Sequence, residues 1–260
     1  MIQGIYRLLI ELTNGRWTSH LLRTFAQSKV SRILVPSFSK VYKIKEFEME
    51  KEIQEYPTLH HFFIRNLKAE ARPIHNDPSS VVSPVDAVIE DVGGISANKT
   101  MTVKGKTYSV HEMLGNEVNV DKYMNGIYMV LYLSPSHYHR IHSPFSGKVM
   151  GEYTLGNKSY PVNKLGLKYG KDTLAKNYRV VTEVKHDYGH AAIVKVGAMF
   201  VNSIETIHEG EQLVKGQEIA YFTFGSTVVL LFEKDTFEMI DFSTPKDIKV
   251  GEKIGYLRKG

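Results

Sequence analysis

The chain has 260 residues, which is long enough to bury a sizeable core as one large domain or as a domain with an appendage. It contains no cysteine, which excludes disulfides, thiolate nucleophiles and cysteine-ligated zinc. The formal net charge of +5 suits an anionic partner such as phospholipid or nucleic acid. The 15 Tyr and 12 Phe residues are typical of a fold with many strands.

Residues 1–35 form a basic, amphipathic segment in which apolar residues recur at helical spacing from Ile2 to Leu34. This pattern is typical of helices that lie in a membrane interface, and equally of helices that pack on the protein's own core. Pro36 is expected to end the segment. The sequence shows neither a secretory signal nor an apolar run long enough to span a membrane.

From about residue 57 onward, short apolar runs alternate with Gly and Pro turn signals. The pattern predicts an α+β fold that is predominantly antiparallel β, arranged as a sandwich or a distorted barrel, with amphipathic helices at the N-terminus. We therefore expect a helical, membrane-associating region over residues 1–56 and a β-rich domain over residues 57–260.

One strand-like run, residues 217–232, is interrupted by Gly225 and Ser226. Gly inside a strand pattern usually marks a bulge or a bend. The chemical alternative is that Gly225 lets the backbone bend until the Ser226 hydroxyl reaches the carbonyl carbon before it. Ser226 would then be a nucleophile toward its own peptide bond, and it would need a base that is held by a third group.

Asp86 lies inside an apolar run, where a carboxylate must be paired or hydrogen-bonded to stay charged. It is a candidate for the third group, and the alternative is a turn cap after Pro84.

Three histidines, His137, His139 and His142, follow the apolar strand that ends at Leu133. A cluster of this kind at a strand end is a site candidate. The spacing leaves two interpretations open. The imidazoles could bind a divalent metal, or one of them could serve Ser226 as a base.

Three segments together resemble motifs of the phosphatidylserine decarboxylase family. Residues 137–144, His-Tyr-His-Arg-Ile-His-Ser-Pro, are similar to its Tyr-His-Arg-x-His-x-Pro motif. Residues 224–227, Phe-Gly-Ser-Thr, resemble its Leu-Gly-Ser-Thr cleavage motif, and residues 83–86, Ser-Pro-Val-Asp, resemble its Ser-Pro-x-Asp element. The clearest departure is Tyr178, which stands where the family usually has Glu, so residues 177–179 receive no role.

The resemblance implies a phosphatidylserine decarboxylase that processes itself. His142, oriented by Asp86, would take the proton of Ser226, whose oxygen would attack the Gly225 carbonyl. Cleavage would give a large chain (1–225) and a small chain (226–260) that stay associated, and Ser226 would become a pyruvoyl group. The amine of phosphatidylserine would form a Schiff base with this covalent cofactor, CO2 would leave, and His139 would act in the decarboxylation.

The expected product is phosphatidylethanolamine. Because the sequence shows neither a secretory signal nor an organellar presequence, the expected location is the cell membrane, as a peripheral protein on an anionic cytoplasmic face. Neither a metal nor a nucleic acid is expected, and a homodimer is left open.

Two other classes remain as alternatives. The first is a metal-dependent β-barrel enzyme with His137, His139 and His142 as ligands. The second is a non-catalytic lipid-binding module. Both would remain a single uncut chain.

Overall fold

A computed structural model describes residues 16–158, 160, 162, 172–198, 204–223 and 226–259 of the chain. Gly225 and the apolar face expected between Met1 and Leu12 lie outside the described residues. The α-helices of the described ranges are α1 (Arg16–Gln27), α2 (Val35–Tyr42), α3 (Leu59–Phe63), α4 (Val110–Leu114) and α5 (Thr173–Lys176). The strands there are β1 (Ser80–Val82), β2 (Ala87–Gly94), β3 (Thr100–Val103), β4 (Lys106–Ser109), β5 (Ile127–Leu133), β6 (Arg140–His142), β7 (Gly147–Leu155), β8 (Arg179–His186), β9 (Gly189–Gly197), β10 (Ile204–Thr206), β11 (Gln212–Leu213), β12 (Glu218–Phe222), β13 (Ser226–Phe232), β14 (Phe237–Met239), β15 (Lys246–Ile248) and β16 (Lys253–Leu257).

Eight strands form one large antiparallel sheet in the order β11-β7-β8-β9-β13-β5-β2-β15. β13 is central, and it pairs along its whole length with β9 on one side and with β5 on the other. All of its residues are buried. The apolar run from Val228 to Phe232 follows from this position, because a strand that is covered on both faces does not need to alternate with polar residues.

Each face of the large sheet packs against a different layer. Apolar residues of β1, β6, β12, β14 and β16 share one buried cluster with the first face, and residues of β3, β4, α4 and α5 share another with the second face. The prediction of a mainly antiparallel β fold with few helices is confirmed. Within the described ranges the sheets do not close into a barrel, so the sandwich is the arrangement that applies.

The N-terminal helices form a third buried cluster, which includes Val35 and Phe38 of α2 and Phe62 and Phe63 of α3. This cluster contains residues from both sides of the expected boundary at residue 57. The expectation for Pro36 is wrong, because Pro36 lies in the first turn of α2 and does not end a helix. The first N–H groups of a helix have no intrahelical partner, so proline costs little there.

Candidate active site

Ser226 is the first residue of the central strand β13. Its Cα partners are Leu133 on β5 and Gly197 on β9. The side chain is fully buried, and its hydroxyl has no hydrogen-bond partner among the residues that the structure describes. The two residues before it, Phe224 and Gly225, are outside those residues, so the predicted scissile bond is seen from its Ser226 side only.

The backbone brings the histidine segment next to the chain that leads to Ser226. Strand β6 pairs with β12, and β12 runs toward the start of β13. At the end of this pairing, the backbone N–H of Phe222 donates to the carbonyl of His139 at 3.0 Å. His139 therefore lies beside the last strand before the predicted cleavage site.

The imidazole of His139 is fully buried. Its Nδ1 lies 2.9 Å from the carbonyl oxygen of His137, and its ring packs on Phe63 with the ring centroids 3.9 Å apart. Burial lowers the pKa of His139 well below its usual range, and the positive charge of Arg65 lowers it further. Because a carbonyl can only accept, Nδ1 carries the proton, and Nε2 has no partner in the described part of the chain.

His142 is partly buried and is fixed on three sides. Its backbone N–H donates to the Pro84 carbonyl at 2.8 Å, which places the Ser-Pro-Val-Asp segment beside β6. Its Nδ1 lies 2.8 Å from the Gly216 carbonyl, and its Nε2 lies 3.2 Å from the Tyr138 hydroxyl. Burial lowers the pKa of His142, and the Gly216 bond together with nearby carboxylates opposes that effect.

Asp86 is buried, and its carboxylate is held by Arg72. Nε of Arg72 donates to Oδ1 at 2.7 Å, Nη2 donates to Oδ2 at 2.5 Å, and the backbone N–H of Val250 donates to Oδ1 at 2.9 Å. Arg72 also bridges to Glu48 at 2.8 Å. The sequence assigned the orientation of His142 to Asp86, whereas in the structure the Gly216 carbonyl holds Nδ1. The forked guanidinium fits a carboxylate better than an imidazole does, which explains why Asp86 pairs with Arg72.

A cavity of about 520 Å³ lies against this pair. Its wall includes Arg65, Arg72, Asp86, Tyr138 and Lys249. The volume falls within the range of roughly 300–1,000 Å³ that is usual for ligand sites. Asp86 and Tyr138, whose hydroxyl lies beside His142, therefore both line an open space.

Comparison with known proteins gives the family. The sequence profile described as phosphatidylserine decarboxylase matches residues 59–256. A protein of Geobacillus sp. (strain WCH70) named phosphatidylserine decarboxylase proenzyme is 58% identical over 259 residues, which cover 99% of this chain and 100% of the relative. Proteins with the same name from Bacillus cereus (strain ATCC 10987 / NRS 248) and Bacillus thuringiensis (strain Al Hakam) are 58% identical over 255 residues, which cover 98% of this chain and 97% of each relative. The chain belongs to the phosphatidylserine decarboxylase family. The resemblance to this family is confirmed.

The comparisons do not support either alternative class, the metal-dependent enzyme or the non-catalytic lipid-binding module. For the metal alternative, the ring nitrogens of the three histidines turn to different partners. Nδ1 of His137 accepts from the backbone N–H of Ser134 at 3.1 Å, while those of His139 and His142 face separate carbonyls. Among the described residues, no group of three His, Asp or Glu side chains is placed to hold a metal ion.

The cofactor that the family implies is a pyruvoyl group made from a serine, and the site fits it. The buried polar atoms that have no partner among the described residues include Oγ of Ser226 and Nε2 of His139. Buried polar atoms normally have partners, and exceptions need a chemical reason. Conversion of Ser226 would remove the first unpaired atom, and contact with a substrate would occupy the second.

The 177–179 segment, which received no role from the sequence, supports the strand next to Ser226. The Asn177 side chain donates to the carbonyls of Gly197 and Tyr160 and accepts from the Tyr160 N–H, all at 2.8–2.9 Å. Because Gly197 pairs with Ser226, Asn177 fixes the edge of the site. Arg179 donates to the carbonyls of Met113 and Glu112 and is structural.

Sequence reasoning missed Arg72 as the partner of Asp86 and Arg65 as a neighbour of His139. They belong to the segments Phe-Phe-Ile-Arg over residues 62–65 and Ala-Arg-Pro-Ile over residues 71–74. A buried Asp must be paired with a cation or hydrogen-bonded, and this requirement was the signal that the sequence offered. With 33 basic residues in the chain, nothing in the sequence points to Arg72.

Proposed function

We propose that the chain is made as a precursor, cuts its backbone between Gly225 and Ser226, and then converts phosphatidylserine to phosphatidylethanolamine and CO2. The observation that carries the proposal is the Ser226 hydroxyl, which is buried without a described partner in a chain so similar to decarboxylase proenzymes. An unsatisfied buried hydroxyl costs about 1–3 kcal/mol. Such a cost is expected of a residue whose hydroxyl is consumed by a reaction.

In the proposed cut, the Ser226 hydroxyl passes its proton to Nε2 of His142, and its oxygen attacks the carbonyl carbon of Gly225. The bond between that carbon and the Ser226 nitrogen breaks, the nitrogen takes up the proton, and an ester remains. Loss of the Ser226 α-proton then expels the Gly225 carboxylate and leaves dehydroalanine. This tautomerises to an imine, which water hydrolyses to a ketone and ammonia, so the sequence needs no oxidant.

His142 and Asp86 have separate parts in this proposal. The Gly216 carbonyl keeps the proton on Nδ1 of His142, so that Nε2 is the basic atom. The charge of Asp86 raises the pKa of the imidazole and so favours the protonated intermediate state. Nε2 must leave the Tyr138 hydroxyl before it can serve Ser226.

In the decarboxylation, the pyruvoyl group supplies a sink for the electrons that CO2 leaves behind. His139 is the residue of this chain that we assign to the step. Its neutral ring is fixed by Phe63 and by the His137 carbonyl, which leaves Nε2 to contact the substrate carboxylate or to move a proton.

The two chains are proposed to stay together after the cut. The small chain, residues 226–260, contributes the central strand β13 of the large sheet. It also contributes β15 to the edge of that sheet, and its β16 pairs with β1 of the large chain on one side and with β14 on the other. These ladders do not depend on the bond between residues 225 and 226.

We further propose that residues 1–56 bind the anionic cytoplasmic face of the cell membrane. The side chains of Leu21, Val30 and Ile33 are 66%, 70% and 78% exposed, and the basic residues Lys29 and Arg32 are their neighbours in sequence. Apolar side chains that enter the acyl boundary while cations meet phosphates are typical of interfacial binding. No helix in the described ranges is both long and apolar enough to cross a membrane.

The test is the intact mass of the denatured protein together with an assay on phosphatidylserine vesicles. We expect two chains, of which the smaller begins at residue 226 with a blocked N-terminus, and release of CO2 that stops after treatment with a hydride reagent. Ser226→Ala should give one uncut, inactive chain, and Ser146→Ala at an exposed serine is the control. A single intact wild-type chain that still decarboxylates, or an S226A variant that still splits, would refute the proposal.

A further inference from the structure

Arg65 is a buried arginine that follows α3 and binds backbone carbonyls of the histidine segment. Only 4% of the residue is exposed. Its Nη2 donates to the carbonyl of Ser136 at 3.2 Å and to that of His137 at 3.1 Å, and the guanidinium lies over the Phe62 ring, 5.6 Å from the centroid. Arg65 therefore binds a stretch of backbone that lies far from it in the sequence.

The His137 carbonyl connects Arg65 with His139. It accepts from Nη2 of Arg65 and from Nδ1 of His139, at 3.1 Å and 2.9 Å. Both lone pairs of the oxygen are thereby used. Phe63, two residues before Arg65, packs on the His139 ring, so the end of α3 controls the angle of the imidazole and the position of the atom that fixes its tautomer.

Holding a loop with a buried guanidinium costs desolvation free energy, because the group is charged. Its hydrogen bonds in the structure go to carbonyls, and Nε has no partner among the described residues. Burying a charge without a close counter-ion is unfavourable, and a neutral side chain can also bind a carbonyl. The positive charge itself is therefore the feature that needs a reason. Tyr56, Asp86, Arg72 and Tyr138 also act on Arg65 through their charges, and His139 is the acid-base group that shares the His137 carbonyl with it.

We propose that Arg65 is a positioning residue for His139, because its guanidinium holds the His137 carbonyl that fixes the His139 tautomer. The positive charge of Arg65 also disfavours the imidazolium form of His139. This inference rests on the proposed function, because His139 acts on the substrate there. The arrangement keeps the Nε2 lone pair of His139 unprotonated and aimed in one direction. Removal of the charge and removal of the geometry should then have different kinetic effects.

The test compares Arg65→Lys and Arg65→Met in the full-length, cleaved protein, with rates expressed per pyruvoyl-bearing small chain. Lys keeps the positive charge but lacks the planar, forked guanidinium that binds two carbonyls. For Arg65→Lys, kcat should therefore fall on the order of 10- to 100-fold with little change in KM. The acid limb of its pH profile should stay where it is in the wild type. Met also removes the charge, so the acid limb should move to higher pH as the pKa of His139 rises.

The matched control is Arg179→Lys, since Arg179 is also 4% exposed and binds backbone carbonyls through its guanidinium. It should lower stability while kcat per small chain and the pH profile stay as in the wild type. If the Arg65 variants behave in that way too, Arg65 is structural only and the inference is wrong.

A second measurement does not depend on cleavage or on activity. In the Ser226→Ala precursor with 15N-labelled histidine, we expect His139 to show a protonated Nδ1 and an unprotonated Nε2, and Arg65→Lys should mix the tautomers. The same tautomer in both proteins would overturn the inference, even if R65M fails to accumulate. A wild-type chain that is never cut would refute the proposed function instead.

Discussion

The hydroxyl of Tyr138 lies 3.2 Å from Nε2 of His142, the atom that is proposed to receive the Ser226 proton. The base is therefore occupied in the uncut chain. We expect Tyr138→Phe to accelerate self-cleavage about two- to tenfold, because one hydrogen bond contributes about 0.5–1.5 kcal/mol. The measurement is the time course of chain cleavage on freshly translated protein. Slower cleavage would mean that Tyr138 assists the base.

Substitution of His142 and substitution of His139 should impair different steps, self-cleavage and decarboxylation respectively. His142→Ala should abolish cleavage, because no other base is assigned to Ser226. His139→Ala should still be cut and carry the pyruvoyl group, but decarboxylation should drop by roughly 10²- to 10⁴-fold, as expected for loss of acid-base assistance. Intact mass and CO2 release, measured on the same samples, separate the two. Cleavage that depends equally on both residues would contradict this division.

Self-cleavage should depend on pH through His142. The base must be neutral, and burial lowers the pKa of His142 below its ordinary value of 6.5. The cleavage rate should therefore stay on its plateau near pH 6.5 and fall only as the pH drops through the lowered pKa. Single-turnover cleavage rates across a pH series test this. An acid limb above pH 6.5 would show that a different group, or an unburied imidazole, acts as the base.

Arg72 should be essential to the fold around Asp86. In the Ser226→Ala background, Arg72→Met should lower the free energy of unfolding by about 3–5 kcal/mol, because it leaves a buried carboxylate without its cation. Urea denaturation measures this. Arg258→Met is the control, since its pair with Glu238 is exposed and should contribute about 0–1 kcal/mol.

Adding Asp86→Asn to Arg72→Met should restore part of the stability, because the unpaired charge is then gone. If the double variant is as unstable as R72M, the loss comes from packing of Arg72 and not from its charge.

Membrane binding should depend on exposed apolar residues of the N-terminal region. The double variant Val30→Asp and Ile33→Asp should release the protein from vesicles that contain anionic lipid, because two carboxylates would face the phosphates. Val214→Asp is the matched control, since Val214 is 62% exposed and belongs to the β-rich domain. The measurement is sedimentation with vesicles. If the double variant and the control bind the vesicles equally well, the N-terminal helices only pack on the protein and do not bind the membrane.

The sequence predicted what depends on local pattern. Turn signals and apolar runs indicated an antiparallel β fold. Residues 217–232 read as one interrupted strand run, whereas in the structure β12 and β13 belong to different sheets. What it did not predict depends on long-range pairing. The Gly216 carbonyl that holds His142 carries no signal in the sequence, because every residue has a carbonyl. The prediction for Pro36 is wrong because proline disrupts the interior of a helix but is tolerated in its first turn.

The central position of β13 also determines when the reactive ketone can arise. Ser226 reaches its buried place only after β5 and β9 have both closed around it, so a chain with an incomplete sheet lacks the environment for the cut. Only chains that have folded correctly would then be cleaved and carry the reactive ketone. Precursor held in denaturant should remain one polypeptide, and its cleavage should begin only after dilution restores the sheet.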